Sequence, residues 1–323
     1  LELEKIKAPV RAEMAEFEKR FREAMRSSVP LLDRIMHYIV KRKGKQLRPM
    51  FVFLSAGLCN RISDSTYTAA ALIELLHTAT LVHDDVVDDS LQRRGFFSIN
   101  ALWKNKIAVL VGDYLLARGL LIALERKEYA LLEVVSNAVR MMSEGELLQL
   151  EKARRLDVDE SVYFEIIRQK TASLIASCCA VGAVSAGANP HTVERMRHFG
   201  ELTGQAFQIK DDLFDFEKNL HTGKPSGIDI RDSKMTLPLI YALHHAPKDE
   251  KRKMIALVKS NKKNPEDVAT VIRFVVRSGG LDYARNKMME LRQQAFSVLN
   301  QFPDGPYRQS LEQLLIFTTE RSK

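Results

Sequence analysis

Three cysteines in 323 residues cannot build a disulfide framework, and two of them, Cys178 and Cys179, are adjacent within a small-residue apolar run. The sequence therefore predicts buried, reduced thiols and a cytoplasmic protein. Proline and glycine are also scarce, at 10 and 15 residues, and no Pro-, Gly- or Ser-rich linker divides the chain. One domain over residues 1–323 is the expectation. Strand signals are nearly missing, with no Asn-Gly hairpin and no sustained period-two alternation, so no sheet is expected. The longest apolar stretch, residues 107–124, contains Asp113 and Arg118 and reads as a buried helix rather than a membrane span. The N-terminus is charged and amphipathic and has no signal-peptide core. Aromatic residues make up only 7% of the chain, with a single tryptophan, Trp103. No recognition motif accompanies the basic clusters of this +8 chain, so nucleic acid is not expected as a partner.

What the chain does have is helix-compatible sequence. Residues 9–27 interleave charge with Met14, Phe17, Phe21 and Met25, with Pro9 tolerated in the first helical turn. Further helices are expected over residues 31–40, after Pro49 to 58, then over 69–89, 100–124, 128–150, 160–185 and 191–216. Five more follow between 236 and 320, and residues 218–232 read as a loop. The predicted fold is all-α, a large bundle of about a dozen helices around a central cavity, the arrangement in which polar sites project into the core from facing helices.

The most informative stretch is Leu81-Val82-His83-Asp84-Asp85-Val86-Val87-Asp88-Asp89. It sets four carboxylates within six residues at the end of an apolar helix, for which Asp64 or Ser65 is the predicted N-cap. At about 100° per residue, Asp84 and Asp88 share a face and Asp85 lies beside them. Acids are unfavourable at a helix C-terminus, and clustered like charges repel, so a cation should offset both. Carboxylates that leave room for water and phosphate suit Mg²⁺. A lone D-D-x-x-D is commonly solvated surface. Here Asp211-Asp212-Leu213-Phe214-Asp215 repeats it on a second apolar helix. The doubling suggests two walls of one metal-lined cavity.

Candidate anion-binding groups lie elsewhere. Lys45 and Arg48 are three apart in Gly44-Lys45-Gln46-Leu47-Arg48-Pro49, and a point charge beside a bidentate fork suits a diphosphate. Arg93-Arg94-Gly95 follows the first acids closely enough to return to them. His77 lies on the face of Asp84. Lys170-Thr171 interrupts an apolar helix, where a lysine calls for an anion. Lys224 and Lys234 flank the loop after the second acids, and Gln208 precedes Asp211 by one turn.

Taken in order from Gly44 to Leu239, these motifs closely resemble those of the trans-type polyprenyl diphosphate synthases. The match also takes in Gly112-Asp113, Gly145-Glu146, Gly223-Lys224-Pro225 and Lys234-x-Thr236-Leu237-Pro238-Leu239. Lys210 departs from it, standing where the family more often has an apolar residue. The resemblance implies the isoprenoid synthase fold and a Mg²⁺-dependent prenyltransferase with three ions per site. Asp84, Asp85, Asp88, Asp211, Asp212 and Asp215 would be the metal ligands. Arg93, Lys170, Thr171, Gln208 and Lys224 would contact the allylic diphosphate, and Lys234 would also bind substrate. Lys45, Arg48, His77 and Arg94 would bind isopentenyl diphosphate. The catalytic set would be Asp84, Asp85, Asp88, Lys170, Asp211 and Asp212. A homodimer, transient membrane contact for product release and use of the product in quinone side chains are further implications.

In this family a bulky aromatic four or five residues before the first acid resembles a short-chain floor. Here those positions are Thr80 and Ala79, with Leu76 and Ile73 deeper on the same side, each turn about 5.4 Å further on. A long product, heptaprenyl to decaprenyl, is expected. The alternatives are a short- or medium-chain synthase, a class I terpene cyclase, or a non-catalytic subunit of a heteromeric synthase. Lys45, Arg48 and Arg94 speak against the cyclase, and the full set of acids speaks against the subunit.

Overall fold

The computed structural model describes residues 2–41, 44–93, 96–155, 159–222, 227–260 and 263–320. Among these the chain forms α1 Glu2–Ile6, α2 Arg11–Ala24, α3 Pro30–Lys41, α4 Leu47–Leu58, α5 Asp64–Val87, α6 Ile99–Glu125, α7 Tyr129–Arg155 and α8 Glu160–Ile167. It continues through α9 Ser173–Ser185, α10 Pro190–Thr222, α11 Ile228–Arg231, α12 Leu237–His245, α13 Lys248–Lys259, α14 Pro265–Arg277, α15 Gly280–Leu299 and α16 Pro306–Glu320. The fold is all-α, as the scarcity of proline, glycine and alternating patterns requires.

Two compact units emerge, each built from three stretches of chain. One comprises Leu1–Val139, Ser177–Arg197 and Phe302–Gln313, and the other Arg140–Ala176, His198–Gln301 and Leu314–Lys323. No single cut in the sequence separates them.

In the first unit, α5 is the central element. Ala69, Ala70, Leu72, Ile73, Leu75, Leu76, His77 and Ala79 are all buried, the pattern of a helix enclosed on most sides. Its main partner is α6. The N-cap is Ser63, one residue earlier than expected. Ser63 has extended backbone (φ −139°, ψ 177°), and its N–H donates to Thr66 Oγ1 at 3.1 Å. The Ser-x-x-Thr pattern outcompetes Asp64 because this reciprocal bond satisfies an otherwise orphaned donor.

The expectation of a buried helix over residues 107–124 is corrected by α6. The helix is long and apolar enough to cross a membrane, yet only one side is covered. Ala108, Val111, Gly112, Leu115, Gly119 and Ala123 are buried, while Val109, Leu110, Leu121 and Leu124 remain exposed. The helix also kinks at Lys104, whose φ of 74° and ψ of 159° lie in a region that favours glycine.

A two-stranded ribbon, β1 Gln92–Arg93 with β2 Phe96–Phe97, was not expected. Strands of two residues are too short to carry a period-two signal. Ser98 fastens the ribbon, its Oγ donating to the Ser90 carbonyl at 2.6 Å and its N–H to the Leu91 carbonyl at 3.0 Å.

The core of the second unit gathers Tyr163, Ile167, Ala206, Ile209, Leu213 and Phe216 with residues of α12, α14 and α15. Its α10 carries the second acids and extends through the start of the expected loop, and α11 forms within that loop. The expected helix over 160–185 is interrupted by a π-helical turn, Arg168–Ala172, between α8 and α9.

Candidate active site

The first acid cluster ends α5. Asp88 is the C-cap, its N–H donating to the Asp84 carbonyl at 2.8 Å. Asp84, Asp88 and Asp89 are exposed and Asp85 is buried. The backbone around them is fixed from α6, where the buried Asn100 Nδ2 donates to the Asp85 carbonyl at 3.0 Å. His83 adds a second tie, with Nε2 3.3 Å from the Val109 carbonyl and 3.4 Å from Asp113 Oδ1. Gly112 makes room for that imidazole, since a Cβ there would fall 2.2 Å from His83 Nε2. The Gly112-Asp113 motif thus serves to hold the acid-bearing end of α5 against α6.

In the same unit, Gln46 adopts a left-handed turn (φ 51°) that starts α4 at Leu47, three residues ahead of expectation. Pro49 is absorbed in the first turn, where its missing N–H costs nothing. Lys45 is left exposed just before the helix and Arg48 half-buried in its first turn, so both cations sit at the positive end of the helix dipole. His77 is buried on α5. Of the residues expected to line a product tail, Ile73 and Leu76 are buried. Ala79 packs among Leu75, Val82, Met36, Ala108 and Leu115. Thr80 is half-buried, and its hydroxyl donates to the His77 carbonyl at 2.8 Å.

The second acid cluster lies within α10 rather than at its end. Asp211 is exposed, Asp212 buried and Asp215 half-buried. Asp212 accepts from Tyr163 Oη at 2.7 Å on one oxygen and from Gln208 Nε2 at 2.9 Å on the other. Burial pushes its carboxyl up to about 7, and the two hydrogen bonds pull the other way. Gln208 Oε1 in turn accepts from Thr171 Oγ1 at 2.8 Å. Asp215 accepts the backbone N–H groups of Ile228 and Asp229, both at 3.2 Å, and so caps α11. Lys234 lies 3.2 Å from Asp229 and 3.3 Å from Asp232. Burial lowers its pKa, and the two carboxylates outweigh that and raise it.

Lys170 sits in the π turn, which widens the helix at this point. The anion expected for it is supplied within the chain: Lys170 pairs with Glu146 and lies 3.1 Å from Gln149 Oε1. Gly145 allows this approach, because a Cβ there would fall 2.8 Å from the Lys170 backbone nitrogen.

The structure therefore brings together Lys170, Thr171, Gln208 and Asp212 in one unit, and His77 with Asp84, Asp85 and Asp88 along one helix in the other. Arg94 and Lys224 lie outside the described residues, and of Arg93 only the backbone is described. Sequence reasoning missed Tyr163 and Asn100. The available signal for Tyr163 was a phenol in the mostly apolar stretch Val162–Ile167, where a buried hydroxyl needs an acceptor. The thiols behave as expected: Cys178 and Cys179 are buried, and desolvation raises both pKa values, that of Cys179 to about 12.

The scaffold is all-helical and carries two D-D-x-x-D clusters, the second hydrogen-bonded to the Gln208 amide. The polyprenyl synthetase profile matches residues 29–275, and the chain belongs to that family. It is 34% identical to the octaprenyl diphosphate synthase of Escherichia coli, covering 100% of both chains. It is 36% identical to the geranyl-diphosphate-specific all-trans-nonaprenyl-diphosphate synthase of Rhodobacter capsulatus, over 98% of this chain and 97% of that one. Its fold superposes with a TM-score of 0.90 on the polyprenyl synthase of Caulobacter crescentus complexed with calcium and isoprenyl diphosphate, at 33% identity and 99% and 98% coverage.

Proposed function

We propose that this chain acts as one domain that elongates an allylic prenyl diphosphate with isopentenyl diphosphate, head to tail and in trans geometry, releasing diphosphate. The observation that carries the reading is the doubled D-D-x-x-D, accompanied by Lys45 and Arg48 at a helix N-terminus and by Lys170, Thr171 and Gln208 beside Asp212. The full-length kinship with octaprenyl and nonaprenyl synthases supports it.

The donor set fits magnesium. It consists of hard carboxylate oxygens, with Asp84, Asp88 and Asp211 exposed, Asp215 half-buried, and Asp85 and Asp212 buried. Among the described residues no three His, Cys, Asp or Glu side chains already form a metal cage. Magnesium is usually held by one or two carboxylates plus substrate phosphates, which exposed aspartates suit. Three ions per site would, when bound, supply counter-charge for the departing diphosphate.

The remaining work falls to the chain's own groups. Lys170, Thr171, Gln208, Arg93 and Lys224 hold the allylic diphosphate, with Lys234 ordering the segment that follows the second acids. Lys45, Arg48, His77 and Arg94 hold isopentenyl diphosphate. As the allylic C–O bond breaks, its electron pair leaves with the diphosphate, stabilised by these cations and donors. The alkene of isopentenyl diphosphate forms the new C–C bond. The proton then lost passes to the released diphosphate, so no protein base is needed. Apolar surroundings keep water from the cation.

Ala79 and Thr80 set no bulky aromatic in the path of a tail running past Leu76 and Ile73, which favours a heptaprenyl to decaprenyl product suited to quinone side chains. The exposed stripe of Leu110, Leu121 and Leu124 on α6 is the surface for a homodimer. A cytoplasmic enzyme with such a lipid product would meet the membrane transiently, and product-loaded protein should co-sediment with vesicles.

The activity is tested with farnesyl diphosphate, labelled isopentenyl diphosphate and Mg²⁺. Label entering prenyl diphosphates, with chelator abolishing it, supports the reading. Cyclised hydrocarbon would move the chain to the terpene cyclases, and no turnover would favour a partner subunit.

A further inference from the structure

Tyr163 lies outside every motif that carries the reading above, yet it makes the shortest side-chain bond to Asp212, at 2.7 Å. Both residues are about 4% exposed. The phenol ring is fixed in the core beside Ile167, Ala206, Ile209 and Leu213, and edge-on to Phe164 at 5.5 Å. From it a directed chain of hydrogen bonds runs outward: Tyr163 Oη and Gln208 Nε2 donate to the two oxygens of Asp212, and Thr171 Oγ1 donates to Gln208 Oε1. With its nitrogen donating to Asp212, the Gln208 amide turns its oxygen to Thr171. The Thr171 proton is thereby committed to Gln208, and its lone pairs face elsewhere.

We infer that Tyr163 is a positioning residue that locks the Asp212 carboxylate and, through it, sets the orientation of the Gln208 amide and the Thr171 hydroxyl toward the allylic substrate. The inference rests on the reading of Gln208 and Thr171 as allylic contacts. Without the phenol, one oxygen of Asp212 loses its donor and the carboxylate is free to turn. Gln208 keeps its donor on the carboxylate but follows it as it turns, and its hold on the Thr171 hydroxyl shifts with it. Side chains coupled in this way respond as a unit, so their deletions should not add.

Tyr163→Phe removes the hydroxyl and keeps the packed ring. It should lower kcat about tenfold while leaving KM for isopentenyl diphosphate within about twofold. In a Gln208→Met background the same change should cost less than about threefold. Equal losses in both backgrounds, or a wild-type kcat for Tyr163→Phe, would overturn the inference. If Tyr163→Phe does not fold, Asp212→Asn sets an amide donor against the two donors and must show the same coupling to Gln208→Met. A readout without turnover separates this inference from the proposed activity. In protein carrying ¹⁵N only in glutamine, the Gln208 side-chain amide pair is identified by its disappearance in Gln208→Met. Its shift should move in Tyr163→Phe, and an unmoved pair counts against the relay whether or not the wild type elongates prenyl chains.

Discussion

The two D-D-x-x-D motifs are nearly the same sequence in different settings. The first ends a helix, presents Asp84 and Asp88 to solvent, and has its backbone tied: Asn100 donates to the Asp85 carbonyl and Asp88 closes the last turn. The second lies inside a helix and is fixed through its side chains. Asp212 is held by Tyr163 and Gln208, and Asp215 by the start of α11. A motif therefore specifies which carboxylates are near one another, while the tertiary partners decide which are open and which are held.

That contrast can be broken by substitution. Asp84→Ala and Asp211→Ala remove exposed carboxylates. Each should lower label incorporation on the order of 10³-fold while leaving stability within about 0.5 kcal/mol of wild type in urea unfolding. Asp212→Ala should lose activity and also about 2 kcal/mol of stability, because it strands the buried Tyr163 donor. Equal stability losses at Asp84 and Asp212 would erase the distinction between an open and a held cluster.

A smaller effect is expected at Gly112. Alanine there would drive into His83, and the shift should reach Asp84, one residue on. Turnover should fall about tenfold, with about 2 kcal/mol lost from overpacking. Unchanged kinetics would mean that the His83 tie does not position the first cluster. The smallest effect on chemistry is predicted for Leu121→Asp on the exposed stripe of α6. It should convert a dimer to monomer by light scattering at micromolar concentration, with each condensation step slowed less than about threefold. A wild-type protein that is already monomeric would remove that surface from the account.

Much of this was legible in the sequence because it depends on local chemistry. The helices follow from apolar periodicity and few breakers, and the first acids fall at the end of α5 where the pattern put them, whereas the second fall within α10 because that helix continues past them. Lys170, Thr171 and Gln208 were each named from position, and the structure joins the last two by a hydrogen bond. What stayed hidden depends on contacts distant in sequence. The π turn at Arg168–Ala172 has no compositional mark. Two-residue strands carry no period, and the kink at Lys104 is a backbone state that lysine does not advertise. Tyr163 looks like one more apolar residue until Asp212, 49 positions away, appears beside it. The one-sided burial of α6 was missed because an apolar run reads the same whether its second face meets core or remains uncovered.

A long-chain elongase whose tail runs past Ala79 is tested most directly by the length of its product. Wild-type protein given farnesyl diphosphate, labelled isopentenyl diphosphate and Mg²⁺ should yield, on reversed-phase separation, a ladder ending at one species between heptaprenyl and decaprenyl diphosphate. Ala79→Tyr should shorten that end point while label still enters. A wild-type ladder that stops at geranylgeranyl diphosphate or shorter, or an Ala79→Tyr product as long as wild type, would contradict the account.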